Sequence, residues 1–264
     1  MNDKFINELE AIIKTHKDEP ARVEGWYKRY ENRSIFKDKF KNIGCKAFQE
    51  EARFLIDSFK GELSREQIFI FMEEDKYRGF VAAMLWGGLG LPPMGTKCLD
   101  DAMNIDPDEI REKIHSIELF LNTGDTREAF VSCSTGGKNK LPGIGISFFT
   151  KIMFFLSSNK ISPRPLIYDS KMQLFHCALI KNDTCLNDFF QINSFSVTDS
   201  YISLQGGHND WKSVDFYMDY IERMKMLSER ISSVLGNAGR QGNEGRLEEL
   251  MFDTDIQNWI RPKK

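Results

Sequence analysis

The chain has no Cys-x-x-Cys pair; its five cysteines, Cys45, Cys98, Cys133, Cys177 and Cys185, are scattered over 264 residues. That dispersal argues against structural zinc and against the closely spaced four-cysteine loop of an iron–sulfur cluster. An odd, scattered set fits a reducing cytoplasm. No run of about 18 apolar residues occurs, which argues against a membrane span. The start, Met1-Asn2-Asp3-Lys4, lacks the apolar run of a signal peptide, so a cytoplasmic protein is expected. Histidines are few as well. His16, His115 and His176 read as ordinary helix residues and His208 as a loop residue, with none at metal-ligand spacing. No metal is expected, and no tandem repeat is found.

An excess of positive charge is also missing: the net charge is −3, which taken alone speaks against a partner made of phosphates. The average conceals segregation. Between Val131 and Lys181 stand Lys138, Lys140, Lys151, Lys160, Arg164, Lys171 and Lys181, against the single acid Asp169. Such a field suits phosphate binding, and it equally suits a solvated lysine face.

What the chain has is helical period. With 41% hydrophobic residues and 12% aromatic, it can bury a core. Phe5, Leu9, Ile12 and Ile13 share a face of a first helix, and Trp26, Tyr27 and Tyr30 mark a second. Phe48 to Phe59 forms a third, stopped at Gly61. Ser64 with Gln67 makes a capping box for a run from Ile68. Further helices are predicted from Tyr77 to Trp86, from Pro107 behind the cap Asp106 to Leu119, from Ile146 to Leu156, from Ser170 to Ile180 and from Val214 to Ile231. Phe190 to Gln205 alternates weakly and reads as irregular or briefly extended. Gly236 to Gly245 reads as a loop before a short helix with Leu247, Leu250 and Met251. The fold class is all-α, with two helical lobes whose boundary is poorly marked.

The most informative stretch is Leu141-Pro142-Gly143-Ile144-Gly145, followed by the apolar helix with Lys151 and then by Pro165-Leu166-Ile167-Tyr168-Asp169. Two glycines bare of side chains let backbone amides approach a phosphate, and the first turn of a helix offers it more N–H groups. No third glycine follows, so the dinucleotide fingerprint is not met. Asp169 stands where it would cap the helix from Ser170, and a capping carboxylate is also a fixed anion able to stabilise a cationic sugar. Lys151 interrupts an apolar run. With Ser147, Thr150 and Ser158 it forms a stripe that faces either water or a cleft; in a cleft, a desolvated lysine could attack sugar C1′.

This order resembles the helix-hairpin-helix DNA glycosylases, whose signature is Leu-Pro-Gly-x-Gly, a helix, then Pro-x-x-Asp. It is most similar to the 8-oxoguanine DNA glycosylase (OGG) fold, in a bacterial branch with Gly-x-Gly-x-x-Phe-Phe-Thr-Lys, here Gly143 to Lys151. The segment Tyr77 to Gly88 looks like an earlier helix of that branch. The specific likeness covers roughly Pro142 to Phe175. It implies one glycosylase unit over 1–264 with two helical lobes and a cleft between them, the helix-hairpin-helix and catalytic segment falling at about 130–181. It further implies that a damaged or modified base is flipped out of DNA and excised. Asp169 and Lys151 would be catalytic, and Lys138, Lys140, Gly143, Gly145, Ser147 and Lys171 would hold the DNA backbone. No cofactor is implied beyond a possible monovalent cation on hairpin carbonyls. Bacterial relatives also act in anti-phage defence, which would make defence-operon proteins partners.

Two positions depart from the pattern. The lysine of family members that also cleave the backbone falls two residues after the second hairpin glycine, at Ser147 here. Lys151 lies one turn further, about 6 Å along the axis. The family's histidine two residues past the aspartate is replaced by Lys171. For the base pocket, Trp211, Phe216 and Tyr217 are candidates, as is Trp86, each with core packing as the competing role. The rival readings are a non-catalytic helix-hairpin-helix DNA-binding module and an all-helical scaffold that binds no DNA.

Overall fold

A computed structural model describes residues 2–15, 46–58, 63–88, 101–102, 104–157, 163–182, 194–197, 202–205, 213–235, 242–251 and 254–260. The helix expected around Trp26 to Tyr30, the stop at Gly61, and Trp211, His16, His208 and Lys160 lie outside those residues. The chain divides into two compact units, one of residues 22–161 and the other of residues 1–21 with 162–264. Among the described residues the architecture is all-α apart from one short hairpin.

In the unit of residues 22–161 the helices are α2 (Lys46–Ser58), α3 (Arg65–Glu74), α4 (Lys76–Trp86), α5 (Pro107–Asn122), α6 (Thr126–Cys133) and α7 (Ile146–Leu156). Ser64 and Gln67 form the expected capping box, each side chain taking the other's backbone N–H. Asp75 turns the chain between α3 and α4: it ends the first and caps the second, accepting from Tyr77 N at 2.8 Å. Gly79 lets these two helices touch, because a Cβ there would stand 2.5 Å from Met72 Cα. Every residue of α7 from Phe148 to Leu156 is buried, and the helix packs against α3, α4, α5 and α6. A helix buried on all sides belongs in a core, and α7 is the axis of this one.

The other unit holds α1 (Asp3–Thr15), α8 (Ser170–Lys181), the antiparallel strands β1 (Ser194–Val197) and β2 (Ile202–Gln205), α9 (Val214–Arg230), α10 (Ser232–Leu235), α11 (Gly242–Leu250) and α12 (Thr254–Ile260). The strands pair from Ser194 opposite Gln205 to Val197 opposite Ile202, so part of the weakly alternating stretch is extended. Residues 242–245 belong to α11 and correct the expected loop to that extent. Leu247, Glu248 and Leu250 bury one face of α11 and carry the helix back to Gly242. The sequence reading also missed α12, whose Ile256 and Ile260 are buried and whose Trp259 ring lies 4.8 Å from that of Phe5.

The core of this second unit is polar at its centre. Tyr168, His176, Tyr217 and Tyr220 are each fully buried. The Tyr168 hydroxyl lies 2.8 Å from His176 Nδ1, while His176 Nε2 lies 2.7 Å from Asp219 Oδ2, which also accepts from Arg223 Nε at 2.7 Å. Burial pushes the imidazole below its ordinary pKa, with Asp219 opposing. The neutral ring therefore donates from Nε2 to the carboxylate and accepts from Tyr168 at Nδ1. Burial would raise Asp219, but the bonds and charges of His176 and Arg223 outweigh it and hold the carboxyl low.

Both shifts have the same consequence on acidification. A histidine depressed in the fold takes up its proton more readily when unfolded, so its contribution is complete above about pH 6.5 and is lost as pH falls through its folded pKa. The contribution of Asp219 follows at lower pH. Urea unfolding across pH should show stability falling below about pH 6.5, and His176→Gln should flatten that slope. An unchanged slope in the variant would remove His176 from this role.

Candidate functional site

The hairpin is fixed from beneath before its own turn begins. Asn139 is buried, its Nδ2 donating to Ser116 Oγ on α5 at 3.1 Å and to Ser132 Oγ on α6 at 3.0 Å. Its backbone N–H donates to Ser132 O at 2.8 Å, an approach that requires Gly137, where a Cβ would stand 2.2 Å from the same oxygen. Leu141 and Ile144 are both buried and flank the turn. Ile144 N donates to Leu141 O at 3.2 Å, and Gly143 has φ +70°, which with Pro142 before it makes a type II turn.

The two hairpin glycines have different reasons to be glycine. Gly143 needs positive φ. Gly145 has φ −89° and ψ 179°, which any residue adopts, and a Cβ built there meets nothing within 4 Å. Gly145 is also the N-cap of α7 and supplies no side-chain bond to it. Among the described residues, no acceptor takes the amides of Gly145, Ile146 or Ser147. A serine or aspartate at the cap would take such amides. Glycine leaves them open on an exposed face, with the positive end of the helix dipole behind them.

Lys151 lies on α7 and is 3% exposed, so the stripe it shares with Thr150, fully buried, is not a solvated face. Its ammonium turns back one turn and donates to Ser147 O at 2.7 Å and Ser147 Oγ at 3.3 Å. Helical side chains lean toward the N-terminus, which makes this reach natural. The amine is thereby delivered to position 147, where the family pattern has its lysine. The lysine stem passes over Gly87, where a Cβ would stand 2.9 Å from Lys151 Cδ. The Gly87-Gly88 end of α4 is thus shaped around this side chain.

Asp169 lies in the unit of residues 1–21 and 162–264, whereas the hairpin and Lys151 lie in the other. It caps α8 as expected, Oδ1 accepting from Lys171 N at 3.0 Å and Met172 N at 3.2 Å. The run before it is pinned by side chains distant in sequence. The Tyr217 hydroxyl donates to Leu166 O at 2.9 Å and accepts from Leu166 N at 3.1 Å, and Glu248 accepts from Ile167 N at 2.6 Å. Tyr168 is then held by His176. Asp169 is half-buried at the end of this rigid run.

Lys138 and Lys171 are exposed, the former with its ammonium 4.6 Å from the Phe120 ring centroid. Lys140 turns its ammonium onto the Ile144 carbonyl, inside the hairpin. Arg164 is buried, so with Lys151 it takes two charges of the basic segment off the surface. Phe216 and Tyr217 are corrected as pocket candidates. Their rings are buried in the core around Tyr168 and His176 and offer no face for a base to stack on. Trp86 is half-buried, packed edge-on against Phe155 at 5.8 Å with the Arg65 guanidinium 5.5 Å from its ring.

Sequence reasoning missed His176, Asp219, Glu248 and Lys113. Asp219 with Arg223 and Lys113 with Glu109 each carry a local signal, a helical i, i+4 pair. His176 with Asp219, Glu248 with Ile167 and Lys113 with the Lys140 carbonyl lie too far apart in the chain to be read. Among the described residues, no three His, Cys, Asp or Glu side chains gather to hold a metal, and no helix is long and apolar enough to cross a membrane.

The family model described as "Putative 8-oxoguanine DNA glycosylase OGG-like protein" matches residues 16–252. No curated protein and no solved structure matches the chain.

If Gly145 is bare for the sake of a ligand and not of the fold, Gly145→Ala should leave the urea midpoint unchanged or slightly raised. Affinity for duplex DNA at low salt should fall about tenfold, as a methyl group keeps phosphate from the amides. Loss of stability with retained affinity would reverse the assignment.

Proposed function

The chain belongs to the OGG-like 8-oxoguanine DNA glycosylase family, and on that premise we propose that it is a cytoplasmic DNA N-glycosylase that excises an oxidised or phage-modified base by flipping it from the stack. The observation that carries the reading is the set of open amides at Gly145, Ile146 and Ser147. Backbone donors at a helix start recognise phosphate irrespective of sequence, which is what an enzyme searching along DNA needs. Exposed Lys138 adds charge to that grip, and exposed Lys171 supplies charge for a phosphate in the other unit.

Asp169 is assigned the chemistry at the sugar. As the base departs, positive charge develops at C1′ and the ring oxygen, and a carboxylate already ordered by two amides stabilises it without having to reorganise. The N-glycosidic bond breaks, the base leaves with its bonding electrons and takes up a proton, and C1′ receives a nucleophile. With water as nucleophile the product is an abasic site. With the amine of Lys151 as nucleophile, a C1′–N bond forms as the base leaves and one amine proton is lost. The C1′–O4′ bond then breaks, O4′ takes up the remaining N–H proton, and the resulting imine opens the way to strand cleavage. Supporting Lys151 in that role are its burial and its delivery to Ser147.

An oxidised or phage-modified base as substrate, and a place in anti-phage defence beside partner proteins of the same operon, are part of the proposal and rest on resemblance alone. Mass detection of bases released from genomic and phage DNA identifies the substrate.

Asp169→Asn should reduce base release by about 100-fold or more while costing little stability, because asparagine caps a helix nearly as well. Full activity in this variant would remove the carboxylate from the mechanism. Borohydride reduction during turnover should trap a protein–DNA adduct in the native enzyme and none in Lys151→Met. Base release with no adduct in the native enzyme would make the chain a glycosylase that uses water alone.

A further inference from the structure

The monovalent cation that the resemblance places on hairpin carbonyls does not fit the residues present. The Ile144 carbonyl, inside the turn, already accepts from the Lys140 ammonium. The Lys140 carbonyl accepts from Lys113 Nζ at 2.8 Å, an ammonium that also pairs with Glu109 at 2.9 Å. A sodium or potassium ion at this hairpin would have to displace a fixed positive charge from the Ile144 oxygen and settle beside a second.

We propose that the Lys140 ammonium is a built-in replacement for that ion, so that the hairpin is ready for an anion without any dissociable cation. The Ile144 C=O and the Gly145 N–H are two ends of a single planar, conjugated unit. A positive charge on the oxygen draws electron density through that unit and makes the N–H a stronger donor, as linked hydrogen bonds polarise one another. The Gly145 N–H is one of the three amides without an acceptor among the described residues. Lys140 thus acts on the phosphate through the backbone and not by touching it: it is a positioning residue. Placement agrees with this role, since Lys140 is half-buried whereas Lys138, two residues away, is exposed.

The inference rests on the reading that the hairpin holds phosphate, and its test has an arm free of that reading. Duplex DNA binding and thermal unfolding without DNA are measured in potassium chloride and in tetramethylammonium chloride, at a matched ionic strength of about 0.1 M. The native protein should bind DNA equally in both salts and should melt at the same temperature in both. Lys140→Met should bind about tenfold more weakly in tetramethylammonium and melt lower there, with both properties recovering in potassium as the ion enters the vacated position. Lys140→Arg, which keeps a cation for the carbonyl, should remain indifferent to the salt.

Potassium dependence of the native protein, in melting or in binding, would overturn the proposal. So would Lys140→Met weakened equally in both salts, the behaviour of an ordinary phosphate contact. If the native protein fails to bind DNA in either salt, the phosphate reading fails while the melting comparison still decides whether Lys140 stands in for an ion.

Discussion

Backbone amides at a helix start are the most exacting groups to leave open, since each must find an acceptor in the protein, in water or in a ligand. The amides of Gly145, Ile146 and Ser147 are in that condition, and much of the unit of residues 22–161 serves to present them. Asn139 ties the approach strand to α5 and α6, Gly137 permits the close passage over Ser132, and Pro142 with Gly143 sets the turn. The burial of α7 on every side keeps its first turn from shifting. Two carbonyls at the same hairpin, those of Ile144 and Lys140, accept from lysine ammonium groups. An anion, as proposed, would complete this arrangement at little further cost in order.

In the other unit the constraint falls on a carboxylate. The run Leu166-Ile167-Tyr168 forms no helix or strand, yet its amides and carbonyls are held by the Tyr217 hydroxyl and the Glu248 carboxylate, and Tyr168 by His176. Buried polar groups of this kind are costly unless they are satisfied, and when satisfied they specify one conformation. The outcome is an Asp169 whose backbone cannot drift and whose Oδ1 is fixed by two amides. Capping holds this carboxylate in one place, which is what the proposed chemistry at the sugar would need of it.

The sequence made local features legible. The bounds of α7, the capping box at Ser64, the cap at Asp106 with Pro107 and the cap at Asp169 all follow from contacts within four residues, the range over which pattern reasoning works. Family membership was legible because the hairpin motif and the aspartate stand close together in the chain. Helix α6 escaped because it is short and its buried residues, Thr126, Ala129, Phe130, Ser132 and Cys133, include too many polar ones to show an apolar stripe. The partners His176 with Asp219 and Ile167 with Glu248 lie 43 and 81 residues apart, beyond any spacing rule. Phe216 and Tyr217 were candidates for a pocket because aromatics suit both pocket and core, and only burial separates the two. The reach of Lys151 back to Ser147 depends on side-chain direction along a helix, which residue spacing alone had turned into a mismatch.

The three amides proposed to receive a DNA phosphate can be watched individually. Titrating isotope-labelled protein with a short duplex and following backbone amide resonances should move the Gly145, Ile146 and Ser147 signals downfield together, as hydrogen bonds to a charged oxygen form. Those three signals standing still while DNA binds and other residues respond would contradict the proposal.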